Sequence, residues 1–442
     1  MKLRGRPRAR RKTTISRLII IPIIALLVLV LLAIPFYNST PIGDYVKKLS
    51  NHGGGAAEIK KREEDEERRG DRNDVVRGEE VVTLKALQDE KCDLFRGEWV
   101  PNPERPYYTN ATCDAIQDHQ NCMKFGRPDL GFLKWKWKPD GCYLPVFEPH
   151  QFLHLVRGKS LAFVGDSVAR NHMQSLICLL SRVAYPLDLS DPTDQNKRYE
   201  YREYDFNMSM FWTPYLVKTG KLESNTPVSR PFDVYLDEYD DRWTTQIGFF
   251  DYIVISAGHW FFRPTYFHVN RRLIGCLYCS DSHVRRRGAA FSYRRAFRTA
   301  FRAINDAVDF DGVTFLRTFA PSHFEGGSWD KGGDCRRTAP YRRNEIGLRD
   351  YALEMYAVQL EELRIARRAG SGTGAKFRLL DATKTMMLRP DGHPSKYGHW
   401  PGVNVSLPND CVHWCLPGPI DAWNDFLLEL LKREMHHFIL YA

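Results

Sequence analysis

Two short stretches carry residue types that together suit acyl chemistry. Gly165-Asp166-Ser167 follows the apolar run Ser160–Val164 and leads into a stretch of helical character from Val168 to Leu180. A serine at such a strand-to-helix turn has free backbone N–H groups beside it, so a nucleophile and an oxyanion site fall together. Taken alone the triplet also has a plainer use, because Asp and Ser are preferred helix N-caps. The second stretch, DCVHWCLPGPIDAWN over 410–424, places Asp410 and His413 three residues apart in a turn-rich segment. That spacing lets the carboxylate hold one ring nitrogen while the other faces a serine, as in a Ser-His-Asp triad. Cys411, His413 and Cys415 also resemble metal ligands, but alternate-residue spacing is not a usual zinc pattern, and no metal is expected.

The elements that must position these residues follow from hydrophobic periodicity. Ser160–Val164, Tyr252–Ser256, Val313–Thr318 and Phe377–Asp381 are short apolar or β-branched runs that predict buried strands. Between them Phe297, Phe301, Ile304 and Val308 recur at helical spacing, and Glu345–Arg368 is a long run of helix formers. Strands alternating with helices imply an α/β fold with a parallel central sheet covered on both faces, and a site at the carboxyl ends of its strands. The segment 92–145 is different: it is rich in cysteine and aromatic residues and has few periodic runs, so it reads as loop-rich and stapled.

The formal charge of +10 does not indicate nucleic acid. Eight of the basic residues, from Lys2 to Arg17, precede the first apolar run and leave about +2 for the rest of the 442-residue chain. Residues 18–36 (LIIIPIIALLVLVLLAIPF) carry no charge and match the thickness of a bilayer core. They predict a single-pass type II signal anchor after a cytosolic tail (1–17), with a lumenal stem over 37–91 and a lumenal catalytic domain over 92–442. All ten cysteines lie beyond that anchor, an oxidising-compartment pattern. Cys276 and Cys279 are expected to pair locally, and Asn110, Asn207 and Asn404 open glycosylation sequons, as does Asn38 beside the membrane.

VGDSVARNH at 164–172 and DCVHWCLPGPIDAWN resemble the GDS and C-terminal DxxH motifs of the plant trichome birefringence-like family of polysaccharide O-acetyltransferases. QNCMKFGRPD, LKWKWKPDGCYLP, ISAGHWFFRP, RTFAPSHFEGG and RPDGHPSKYG are similar to successive blocks of that family, so the resemblance runs from about Cys92 to the end. It implies an SGNH-hydrolase-like three-layer fold and a Golgi membrane enzyme that transfers acetyl to a cell-wall polysaccharide. Ser167 would be the nucleophile, His413 the base and Asp410 its orienting carboxylate. It further implies the pairs Cys92–Cys142, Cys113–Cys178, Cys122–Cys415 and Cys335–Cys411. The ISAGHWFFRP, GCLYC and RTFAPSHFEGG blocks look most like the xyloglucan-acetylating branch; xylan or mannan acceptors, an acetylesterase and a non-catalytic wall-binding protein are the alternatives.

Within that frame the Ser167 N–H is the first oxyanion donor, with Gly165, Asp166 and Gly258 as further candidates and His259 and Trp260 as candidates for lining the sugar site. Ser256 stands where many relatives have Asn, which weakens an amide donor there. His393, in RPDGHPS, is a competing histidine, although its Pro and Gly neighbours favour a turn residue. No Gly-rich phosphate loop is present, so no tightly bound cofactor is expected, and the acetyl donor, acetyl-CoA or another, is left open.

Overall fold

The computed structural model describes residues 92–220, 231–371, 376–400 and 409–441, with side chains to residue 435. The expected tail, membrane anchor and stem, and the sequons at Asn38 and Asn404, lie outside the described residues. Among those described, no helix is long and apolar enough to cross a membrane.

An antiparallel ribbon pairs β1 (Gly97–Pro101) with β2 (Trp135–Pro139). The main sheet begins with β3 (Ser160–Gly165), β4 (Leu187–Asp188), β5 (Lys197–Tyr201) and β6 (Phe206–Trp212). A smaller sheet is built from β7 (Val217–Thr219), β8 (Phe232–Tyr239), β10 (Thr265–Val269) and β11 (Arg272–Leu277). The main sheet is completed by β9 (Tyr252–Ser256), β12 (Val313–Arg317) and β13 (Lys376–Leu380), in the order β13-β12-β9-β3-β6-β5-β4.

The sheet is mixed rather than wholly parallel. β13, β12, β9, β3 and β6 run parallel, whereas β5 and β4 form an antiparallel edge. Only residues 202–205 join β5 to β6, which is too short for the crossover that a parallel neighbour needs. The smaller sheet is unannounced by apolar runs, because strands such as β8 (FDVYLDEY) are only half buried and interleave charges with Val234 and Leu236.

Five main helices cover the central sheet: α1 (Pro149–Leu155), α2 (Ser167–Leu180), α3 (Ala289–Asp306), α4 (Asp350–Ala369) and α5 (Ala422–Tyr441). Alternation along β3 decides the layering. Leu161 and Phe163 join Leu153 of α1, Leu176 of α2 and Phe426 of α5 in one core, while Ala162 and Val164 join Phe297 of α3 and Val358 of α4 in the other. Each fully buried side chain of this size contributes about 1.5–3 kcal/mol. The α3 stripe ends sooner than its spacing suggests: Tyr293, Phe297, Phe301 and Ile304 are buried, but Val308 falls beyond the helix and is 97% exposed. Likewise α4 starts at Asp350, five residues after the first helix former at Glu345.

Candidate active site

The site is built where β3 turns into α2. Gly165 sits at φ +154°, and a Cβ there would overlap the carbonyl oxygen of Ser256 on the neighbouring strand. Gly165→Ala is therefore expected to destabilise the protein by at least about 2 kcal/mol, read as a lowered denaturant midpoint at unchanged slope. Asp166 follows as the N-cap. Its Oδ1 accepts from the Val168 N–H at 3.0 Å and its Oδ2 from the Gly258 N–H at 2.9 Å. One buried carboxylate thus ties the Ser167 turn to the loop after β9, and Ser167 becomes the first helical residue, whose N–H has no partner within the helix.

This geometry revises three of the contacts expected from the sequence. The Gly258 N–H is occupied by Asp166, so it cannot be the second oxyanion donor. Gly165 and Asp166 shape the turn instead of touching substrate, since Asp166 is 1% exposed with both oxygens engaged. Ser256 is fully buried and does not reach the site surface.

Ser167, His413 and Asp410 form one hydrogen-bonded chain. The Ser167 Oγ lies 2.7 Å from His413 Nε2, and His413 Nδ1 lies 2.7 Å from Asp410 Oδ2. Asp410 Oδ1 accepts the backbone N–H groups of Val412 at 3.1 Å and His413 at 2.9 Å. A carboxylate accepts only, so Nδ1 carries a proton and Nε2 accepts that of Ser167. Burial would lower the His413 pKa, but the charge and hydrogen bond of Asp410 outweigh it and hold it above the usual 6.5. Conversely, burial would raise Asp410, and the His413 charge and these hydrogen bonds hold it well below the carboxylate range. The His413 and Asp410 side chains are 20% and 23% exposed, so the chain is open to an incoming molecule.

Four kinds of contact fix the turn that carries His413. Disulfides bind it on either side, Cys335–Cys411 and Cys122–Cys415. Asn171, four residues after Ser167, accepts from the Trp414 N–H at 2.8 Å and donates to the Trp414 carbonyl at 3.3 Å. Ser395 and Asp410 exchange two backbone bonds. His393 is buried against Trp414, with ring centroids 4.1 Å apart, and its Nδ1 lies 2.7 Å from the His413 carbonyl. The competing histidine therefore supports the backbone of His413 and does not face the serine. Behind it His323 lies 2.7 Å from His393 and donates to the Met387 carbonyl, while Arg127 donates to the carbonyls of Asp391 and His393. Replacing Cys122 and Cys415 together is expected to cost about 2–5 kcal/mol of stability, because the bridge spans 293 residues of sequence; thermal unfolding under non-reducing conditions checks it.

The remaining cysteines are joined as Cys92–Cys142, Cys113–Cys178 and Cys276–Cys279. The side chains of Asn110 and Asn207 are exposed. His259 is fixed by a 2.9 Å contact to the Ala320 carbonyl, and Trp260 packs edge-on to Trp212, which is in register with Gly165. Among the described residues no cluster of three or more His, Cys, Asp or Glu side chains is arranged to hold a metal ion.

Two site residues escape sequence reasoning. His119 brings its ring to 5.2 Å from that of His413 at 80°, and burial pushes its pKa down to about 4, so it is neutral at ordinary pH. It belongs to the cysteine-rich segment and is delivered by the Cys122–Cys415 bridge three residues on; only that cysteine could have signalled it. Arg170 stands one turn beyond Ser167, in a motif where the serine draws the eye.

A capped serine turn at the end of a central strand, aligned with an Asp-x-x-His turn near the C-terminus, defines a GDSL/SGNH-like architecture. The chain belongs to the PC-esterase family, described as a GDSL/SGNH-like acyl-esterase family found in Pmr5 and Cas1p, which matches residues 144–430; a PMR5 N-terminal domain matches residues 90–143. Among its relatives, protein trichome birefringence-like 19 of Arabidopsis thaliana is 57% identical over 78% of this chain and 82% of its own. Xyloglucan O-acetyltransferase 4 of Populus trichocarpa is 47% identical over 78% of this chain and 82% of its own, and xyloglucan O-acetyltransferase 2 of Arabidopsis thaliana is 42% identical over 81% and 87%.

Proposed function

We propose that the protein is a polysaccharide O-acetyltransferase that moves acetyl through an acetyl-Ser167 intermediate onto hydroxyls of xyloglucan. The unbroken hydrogen-bonded chain from Ser167 through His413 to Asp410, partly open to solvent, is the observation that carries this reading. The names of the xyloglucan O-acetyltransferase relatives support the acceptor.

The reaction runs in two halves. Ser167 Oγ attacks the acetyl carbonyl as His413 Nε2 takes its proton, and Asp410 stabilises the imidazolium and keeps its ring oriented. The oxyanion develops beside the Ser167 N–H at the start of α2. The leaving group departs with the proton from His413. A sugar hydroxyl then gives its proton to His413 and attacks the acetyl-serine; the ester forms on the sugar, and Oγ recovers its proton. Ping-pong kinetics follow.

His413 acts as a base only when neutral. Because its pKa is raised, kcat/KM with respect to donor rises with pH through a transition above 6.5 and is lost as pH falls; a profile flat across that range contradicts the assignment.

We also place the enzyme in the Golgi membrane as a single-pass type II protein, anchored through 18–36, with glycans on Asn110 and Asn207. Five disulfides among the described residues support an oxidising lumen.

The test is incubation of the full-length protein with an acetyl donor and xyloglucan, xylan or mannan oligosaccharides. New esters on xyloglucan alone are expected. Loss of pre-existing esters instead would mean an esterase, in which water captures the same intermediate, and binding with no ester change would mean a non-catalytic wall-binding protein.

A further inference from the structure

Several buried or half-buried arginines among the described residues are answered by carboxylates. Arg105 pairs with Asp425, Arg127 with Asp129, Arg242 with Asp240 and Arg389 with Asp391. Others, such as Arg317 and Arg367, have no ion pair among the described residues, and two of these, Arg170 close to Ser167 and Arg263, are linked through a pair of tryptophans. Arg170, three residues after the nucleophile, lays its guanidinium over the ring of Trp212 at 4.9 Å. Arg263 lies over Trp260 at 3.9 Å, and the two tryptophans meet edge to face at 5.6 Å. Trp212 ends β6 and is in register with Gly165, which puts Trp212 and Arg170 at the Ser167 turn, with Trp260 joining Arg263 to them.

Among the described residues neither guanidinium makes a hydrogen bond or an ion pair, and the Arg170 Nε is buried with no partner. Asp166, whose charge reaches Arg170, has both oxygens committed to backbone N–H groups. Burial lowers the pKa of both arginines, the sign of cations held without an adequate counter-charge. Arg170 is close enough to the reacting groups to depress the proton affinity of His413 and His119. The tryptophan faces give each cation some compensation and a fixed plane, leaving its N–H edges for a ligand.

We propose that Arg170 and Arg263, mounted on Trp212 and Trp260, form the binding site for a phosphate-bearing carrier that delivers the acetyl group as a thioester. Planar guanidinium edges match phosphate oxygens, and two uncompensated cations favour an anion over a neutral glucan. The inference rests on the reading of Ser167 as the acetyl acceptor. On attack, the bond from acetyl carbon to sulfur breaks as that to Oγ forms, and the thiolate takes up the serine proton from His413.

The full-length protein is to be assayed with acetyl-CoA as the anionic donor and 4-nitrophenyl acetate as the neutral one. The ratio of kcat/KM for acetyl-CoA to that for the neutral ester is expected to fall about 10- to 100-fold in Arg170→Gln and in Arg263→Gln, and to fall in the parent protein as salt is raised. An unchanged ratio overturns the proposal, as does a rise in the KM of the oligosaccharide acceptor in place of the donor. Calorimetry separates this site from the reading of the nucleophile: CoA should bind Ser167→Ala and fail to bind Arg170→Gln/Arg263→Gln. If Ser167→Ala still transfers acetyl, the nucleophile is misassigned while the CoA arm still decides the arginines. If CoA binds the double arginine variant as it binds the parent, the donor site is refuted even with Ser167 secure.

Discussion

Ser167→Ala is expected to lower kcat for acetyl transfer about 10⁴-fold or more, with the fold intact. The size follows from removing the only atom positioned to carry the acyl group, so that His413 has no hydroxyl to deprotonate. The fold should survive because, among the described residues, the Oγ hydrogen-bonds to His413 alone, and the helix is capped by Asp166 and not by the serine. The change in unfolding free energy should stay within about 0.5 kcal/mol. Mass spectrometry of product oligosaccharides measures the first effect, and acetyl trapped on the peptide containing Ser167 in the parent protein gives direct support. Transfer within tenfold of the parent rate would end the assignment.

Asp410→Asn is the second large effect, a loss of about 10⁴-fold in kcat, the scale this change has in serine proteases. The amide keeps an oxygen for the Val412 and His413 N–H groups, and the Cys335–Cys411 and Cys122–Cys415 bridges still hold the turn, so its shape is retained. What changes is the tautomer. An NH₂ facing Nδ1 favours the imidazole with its proton on Nε2, which cannot accept from Ser167. The imidazolium also loses its counter-charge, so the acid limb of the pH profile should move to lower pH. A variant that retains a parent-like rate and profile would show that Asp410 is merely structural.

These two residues also mark where sequence reasoning works. Ser167 was legible because an apolar strand runs straight into Gly-Asp-Ser and then into a helix, a local pattern set by turn and capping chemistry. Asp410 and His413 were legible because a carboxylate three residues from a histidine is itself a short-range arrangement. The strands Ser160–Gly165, Tyr252–Ser256 and Val313–Arg317 were legible too, since burial on both faces leaves continuous apolar runs.

Gly258 shows the limit. Its place after a strand made it a plausible oxyanion donor, yet its N–H is claimed by a carboxylate 92 residues away in sequence. His119 and Arg263 had no signature of their own: the first is brought to His413 by the nearby Cys122–Cys415 bridge, and the second rests on the face of Trp260. The antiparallel edge of the main sheet and the half-buried second sheet were hidden likewise, because interleaved charges blur the period of exposed strands.

By itself, then, the sequence determined the strand-to-helix serine, the Asp-His turn, the α/β alternation and the cysteine-rich character of residues 92–145, all of which depend on neighbours within a few residues. Only the tertiary structure decided that Ser167 and His413, 246 positions apart, meet at 2.7 Å, that Asp166 occupies the Gly258 N–H, and that Arg170 and Arg263 rest on tryptophan faces with no ion pair among the described residues. Those facts are set by packing across the sheet and by disulfide closure, which couple residues whose separation along the chain carries no information about their distance in space.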